Sequence, residues 1–90
     1  MRVEERVAYP EGPLTLAVAA AALIDGVTAV RAGATVFDLR GVTQVDSAAL
    51  SLLLSWRREA LSTASPLHFL HLPDSLRSLA RLYGLAEQFD

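Results

Sequence analysis

The 90-residue sequence contains no cysteine, which excludes a disulfide framework, a thiolate zinc site and a cysteine nucleophile together. A reducing cytosol is compatible with that absence. Lysine is missing as well: all eight basic residues are arginines, scattered along the chain, a bias we attribute to genome composition. No basic patch follows from it, and a net charge of -2 argues against a nucleic-acid binder. No apolar run is long. The longest, Leu14 to Ile24, stops at Asp25, and about 11 residues fall well short of the roughly 20 that span a bilayer. The opening MRVEERVAYPEGP carries three Glu and two Pro before any apolar run, the reverse of a signal peptide's order. The expectation is a soluble chain whose contact with a membrane would come through a partner.

The usual catalytic arrangements are also absent. There is no GxSxG elbow, no GxxxxGK[ST] phosphate loop, no HExxH and no GxGxxG. His68 and His71 lie three apart on an expected strand, where odd spacing turns them to opposite faces and disfavours a joint metal site. A triad of Ser47, His68 and an aspartate is compatible with the composition, but no spacing supports it. The expectation is a protein that is not an enzyme and needs no cofactor or metal.

What is present is enough for a core: 52% of the residues are hydrophobic, which excludes a disordered acidic chain. Ninety residues fit a single domain, 1–90. Residues 2 to 8 and 14 to 18 read as two strands of an opening hairpin around Pro10, Glu11, Gly12 and Pro13. From Ala21 to about Ala32 the spacing of Leu23, Ile24, Val27 and Val30 predicts a helix, with Gly33 placed to end it. ATVFDL, 34 to 39, reads as a buried strand. A helix follows from about Ser47 to Ser62, then a strand over LHFLHL, 67 to 72. Asp74 or Ser75 is placed to cap a last helical region with a break at Gly84. The order β, β, α, β, α, β, α predicts an α/β domain with a mixed, mostly parallel sheet of four to five strands and three to four helices.

Asp46 and Ser47 stand directly before the leucine-rich helix. A side-chain oxygen there satisfies an orphan N–H of the first turn, worth about 1 kcal/mol. The same position suits a phosphate, because the helix dipole and free N–H groups favour negative charge. Projected at 100° per residue, Ser47, Ser51, Ser55, Arg58 and Ser62 share an arc of about 80°, a narrow polar strip. The apolar arc spans about 200°, twice what one core needs. Leu52 and Trp56 form its edge nearest the strip. Either this edge faces outward as a docking surface or Trp56 packs under a neighbouring helix of the same chain. Arg57 falls inside the apolar arc, an expected case of a stem snorkelling to the edge.

The stretch VFDLRGVTQVDSAALSLLLSW resembles the signature of STAS domains, in which a strand ending in Asp-Leu leads through a short loop to (I/V)-D-(S/T)-(S/A/G)-G-L at a helix start. Asp38, Leu39, Val45, Asp46, Ser47 and Leu50 fit. Ala49 departs from the family's Gly and is expected to add a methyl to a partner-docking surface. Two branches are similar. Anti-sigma factor antagonists are phosphorylated on the second Ser of Asp-Ser-Ser-Gly-Leu, a position held here by Ala48, which leaves Ser47 as the possible phosphoacceptor. The MlaB-type branch has a single Thr or Ser after the Asp, matching Ser47. Its closing helix is similar at Leu79, Ala80, Arg81, Leu82 and Tyr83. The second resemblance implies a non-catalytic cytoplasmic subunit of a phospholipid-moving ABC transporter. It would bind the MlaF-type ATPase, and through it the permease, and lie at the inner membrane only indirectly, with a homodimer also open. The partner surface it implies comprises Asp46, Ser47, Ala48, Ser51, Leu52, Ser55, Trp56 and Tyr83. A third reading, a small-ligand or lipid-binding STAS domain, requires an apolar cleft near Leu52 and Trp56.

Overall fold

The computed structural model describes residues 1–89. Strands β1 (Arg2–Glu4) and β2 (Val7–Tyr9) form an antiparallel hairpin, and β3 (Gly12–Leu14) leads through a 3-10 turn at Leu16–Val18 into α1 (Ala19–Arg31). Then come β4 (Val36–Asp38), β5 (Val42–Val45), α2 (Ser47–Ser62), β6 (His68–Leu70), α3 (Asp74–Leu82) and α4 (Ala86–Phe89). The main sheet has the order β1-β2-β4-β6, with β2, β4 and β6 parallel. A second, two-stranded sheet pairs β3 with β5, also parallel. The fold is therefore α/β with a mixed, mostly parallel sheet, as the order of elements predicts.

Four details differ from the sequence reading. The opening hairpin turns at Glu5 and Arg6, not around Pro10–Pro13, and Glu5 takes a left-handed φ of 57° where glycine is usual. Residues 14 to 18 are not the second hairpin strand. Leu14 ends β3, and the chain then tightens into the 3-10 turn. VTQV, just before α2, is a strand and not part of a loop. At the last helix, neither Asp74 nor Ser75 is the cap: Pro73 holds that position without a side-chain bond, and Asp74 opens the first turn.

Alternation along the strands places the core on one side of the main sheet. Ala8, Phe37 and Phe69 are in register across β2, β4 and β6, and Ala8 and Phe37 are fully buried. Of the intervening residues, Val7, Val36, His68 and Leu70 remain half-buried or exposed and Asp38, at the end of β4, is buried under Arg40 and His71, so the helices cover one face only. Phe37 meets Trp56 of α2 with ring centroids 4.8 Å apart, then Phe69 at 6.1 Å, and Phe69 meets Phe89 of α4 at 5.7 Å. This aromatic row runs from the α1–α2 seam to the last residue of α4.

The seam itself depends on Gly26. A Cβ at that position would stand 2.0 Å from the Trp56 indole nitrogen, so only glycine lets α1 lie against the ring. The indole Nε1 donates to the Leu23 carbonyl at 3.3 Å, which satisfies its polar atom inside the core. Trp56 is fully buried and Leu52 nearly so. Of the two alternatives for Trp56, packing under a neighbouring helix is the one realised, and the outward apolar edge is not. Ala49 is buried too, so the methyl expected on the docking surface faces the core.

Candidate docking site at the start of α2

Asp46 is the N-cap of α2. Its Oδ1 accepts from the Ala48 backbone N–H at 2.8 Å, and its Oδ2 accepts from the Leu16 N–H at 3.0 Å, thirty residues earlier in the chain. Ser47 occupies the first helical position, with no bond to its hydroxyl among the described residues, so the capping role belongs to Asp46 alone. The pairing of β3 with β5 creates this geometry. Leu14 lies opposite Val45, which brings the residues just after each strand together.

Beyond Asp46, a groove of about 910 Å³ opens between α1, α2 and the end of α3. Its floor is the polar strip of α2, with Ser47, Ala48, Ser51 and Ser55. Leu16, Ala19, Ala20 and Leu23 form one wall, and Tyr83 and Leu85 the other. Leu16 is 77% exposed and Tyr83 57%. Asp46 is the one charged residue in the lining, and both its oxygens are bound to backbone N–H groups. The groove thus offers hydroxyls and apolar edges, with a single hydrogen-bonded carboxylate at one end.

The structure gathers Asp46, Ser47, Ala48, Ser51, Ser55 and Tyr83 around one opening. Leu52 touches it from beneath, and Trp56 is absent from its lining. The cleft anticipated near Leu52 and Trp56 therefore exists beside the first residue and not the second. The wall of Leu16, Ala19, Ala20 and Leu23 was not expected from the sequence. Its signal is their spacing, i, i+3, i+4 and i+7, a helical stripe that the strand assignment of 14 to 18 obscures.

The second aspartate of the signature lies elsewhere. Asp38 ends β4, nearly buried, where Oδ2 accepts from Arg40 Nη2 at 2.9 Å and Oδ1 from the Arg40 backbone N–H at 3.0 Å. His71 Nδ1 stands 3.0 Å from the same Oδ1, and His71 takes a left-handed φ of 57° to reach it. Burial works to raise the Asp38 carboxyl, but the hydrogen bonds from Arg40 and His71 outweigh it and hold the group below its ordinary value. Arg57 is half-buried, its stem crossing the apolar arc to the edge. Its guanidinium lies 5.1 Å and 5.3 Å from the ring centres of Phe69 and Phe89 and donates to the Gln88 carbonyl, while burial pulls its pKa down.

Among the described residues no group of three or more His, Asp or Glu is arranged to hold a metal, and no helix is long and apolar enough to cross a membrane. A buried strand, a short β5 and an aspartate-capped helix, on a mixed sheet covered by helices on one face, define a class of small α/β domain. The STAS_2 family, described as Mlab, STAS domain, matches residues 11–89, and the chain belongs to that family. Domains of this kind are generally non-catalytic and regulatory. The chain is similar in fold to the anti-sigma factor antagonist SpoIIAA in its unphosphorylated form, with a TM-score of 0.66 and 21% identity over 90% of this chain and 79% of that one. It is also similar to a sulfate transporter family protein from Wolinella succinogenes, with a TM-score of 0.67 and 21% identity over 100% of this chain and 76% of the other. Among curated proteins none matches significantly.

Proposed function

We propose that this domain is a non-catalytic cytoplasmic subunit that docks, through the groove at the start of α2, on the ATPase of an ABC transporter for phospholipids. Through that ATPase it reaches the permease and lies at the inner membrane without entering it. The observation that carries the reading is the match of residues 11–89 to the Mlab-type STAS family, and the open groove over Ser47, Ser51 and Ser55 supports it. Small side chains on its floor let a partner segment approach the helix closely, and apolar walls on both sides give that segment area to bury. The test is a pull-down of tagged protein from its native membranes with partners identified by mass spectrometry. Wild type recovers an ABC ATPase with its permease, and Ser51→Arg, which fills the groove, does not. Recovery of a kinase-like anti-sigma factor in place of the ATPase rejects the reading.

One observation favours a second reading, the phosphorylation-regulated antagonist: the Ser47 hydroxyl is exposed at the first turn of α2, where a phosphate gains from the helix dipole. Incubation with the cognate kinase then labels Ser47. Absence of label on intact protein removes this alternative.

A further inference from the structure

We infer that Asp46 is a positioning residue of the docking groove, which holds Leu16 in place as the wall facing Ser47. This inference rests on the docking reading above. The 3-10 turn at Leu16–Val18 is closed by its own backbone bonds, Val18 N–H to the Thr15 carbonyl at 3.0 Å and Ala19 N–H to the Leu16 carbonyl, and runs directly into α1, but no side chain of its own ties its first residue to α2. It is three residues long, none of them buried, and its N-cap residue Thr15 makes no side-chain bond. Leu16 itself is 77% exposed, so packing does not anchor it. Its backbone N–H, an orphan donor at the start of the turn, is satisfied by Asp46 Oδ2 at 3.0 Å. The other oxygen of the same carboxylate caps α2 at Ala48. One side chain thus sets the start of the α2 floor and the apolar wall beside it, and fixes the distance between them. Two oxygens are needed, which is why a serine or threonine, as good a helix cap, does not do the same work.

The test uses Asp46→Ser, which keeps a capping oxygen for α2 and removes the one that reaches Leu16. Amide hydrogen exchange, read residue by residue, shows the Leu16 N–H exchanging at least tenfold faster while Ala48 and the α2 core keep their rates. Affinity for the purified ABC ATPase recovered in the pull-down falls about tenfold. Leu16→Ala, a change at an exposed side chain, lowers it similarly, and Asp46→Ser in the Leu16→Ala background costs no more, because the aspartate acts through that wall. Unchanged Leu16 exchange in Asp46→Ser overturns the inference. Faster exchange with unchanged affinity, or full additivity of the two substitutions, overturns it too and leaves the ATPase reading standing. Failure of wild type to bind the ATPase rejects the docking reading and the inference built on it, while the exchange rates still report whether the tether exists.

Discussion

On its inner face α2 meets α1 so closely that one added methyl at Gly26 would strike the Trp56 ring, whereas its outer face opens at Ser47, Ser51 and Ser55 onto about 910 Å³ of unfilled groove. The same sixteen-residue helix serves both. The inner face uses large side chains, Trp56, Leu53 and Leu50, and its polar atom finds a backbone carbonyl. The outer face uses small hydroxyls that add little to the core. The difference teaches where each kind of change is felt. Substitutions inside register as stability, and substitutions outside register as binding.

The largest break in this contrast comes from Trp56→Ala, which removes the ring packed on Phe37 and Gly26 and lowers stability by about 3–5 kcal/mol in denaturant unfolding followed by far-ultraviolet circular dichroism. Gly26→Ala attacks the same seam from the other side and costs about 2–3 kcal/mol. Because the two sites touch, the double change falls short of the sum, and strict additivity would show that the seam is not the source of either loss.

A second, smaller effect sharpens the comparison by pH. The Asp38 carboxyl is held below its ordinary value, so its contribution is present above the unfolded pKa and is lost as pH falls through about 4 and below. Asp38→Asn lowers stability at neutral pH by about 1–2 kcal/mol and flattens that acid limb of the stability curve. Persistence of the full acid limb in the variant would assign it to other carboxylates. The smallest effects belong to the outer face. Ser47→Ala and Ser51→Arg each shift stability by no more than about 0.5 kcal/mol, since Asp46, not Ser47, caps the helix. Unfolding of either at room temperature would show that this face is internal.

Much of this was legible from the residues themselves. The signature located Asp38, Asp46 and Ser47, the boundaries of α2 fall at Ser47 and Ser62, and Gly33 follows the end of α1 with a left-handed φ of 105°. The hairpin turn was not legible, because Glu5 adopts a conformation that its chemistry does not advertise, while Pro10, Gly12 and Pro13 mark the crossing into β3. Nor was the orientation of Trp56, since a 200° apolar arc leaves open which edge is covered. The clue lay in another helix: a glycine in the interior of α1 costs about 1 kcal/mol and so points to a packing partner. The aromatic partners of Arg57 were not legible either, because cation–aromatic stacking depends on Phe69 and Phe89, distant in sequence. Tyr83 and Leu85 were brought to the groove by the break at Gly84, whose φ of 71° turns the chain between α3 and α4.

The position of Trp56 has an optical consequence. It is the sole tryptophan of the chain, its indole is shielded from water and hydrogen-bonded to Leu23, and it lies behind the groove without lining it. Intrinsic fluorescence therefore carries one unambiguous signal, a blue-shifted emission that follows the α1–α2 seam. A partner that only fills the groove leaves that spectrum in place, whereas one that pries α1 from α2 shifts it to the red, and a single titration in a cuvette tells the two apart.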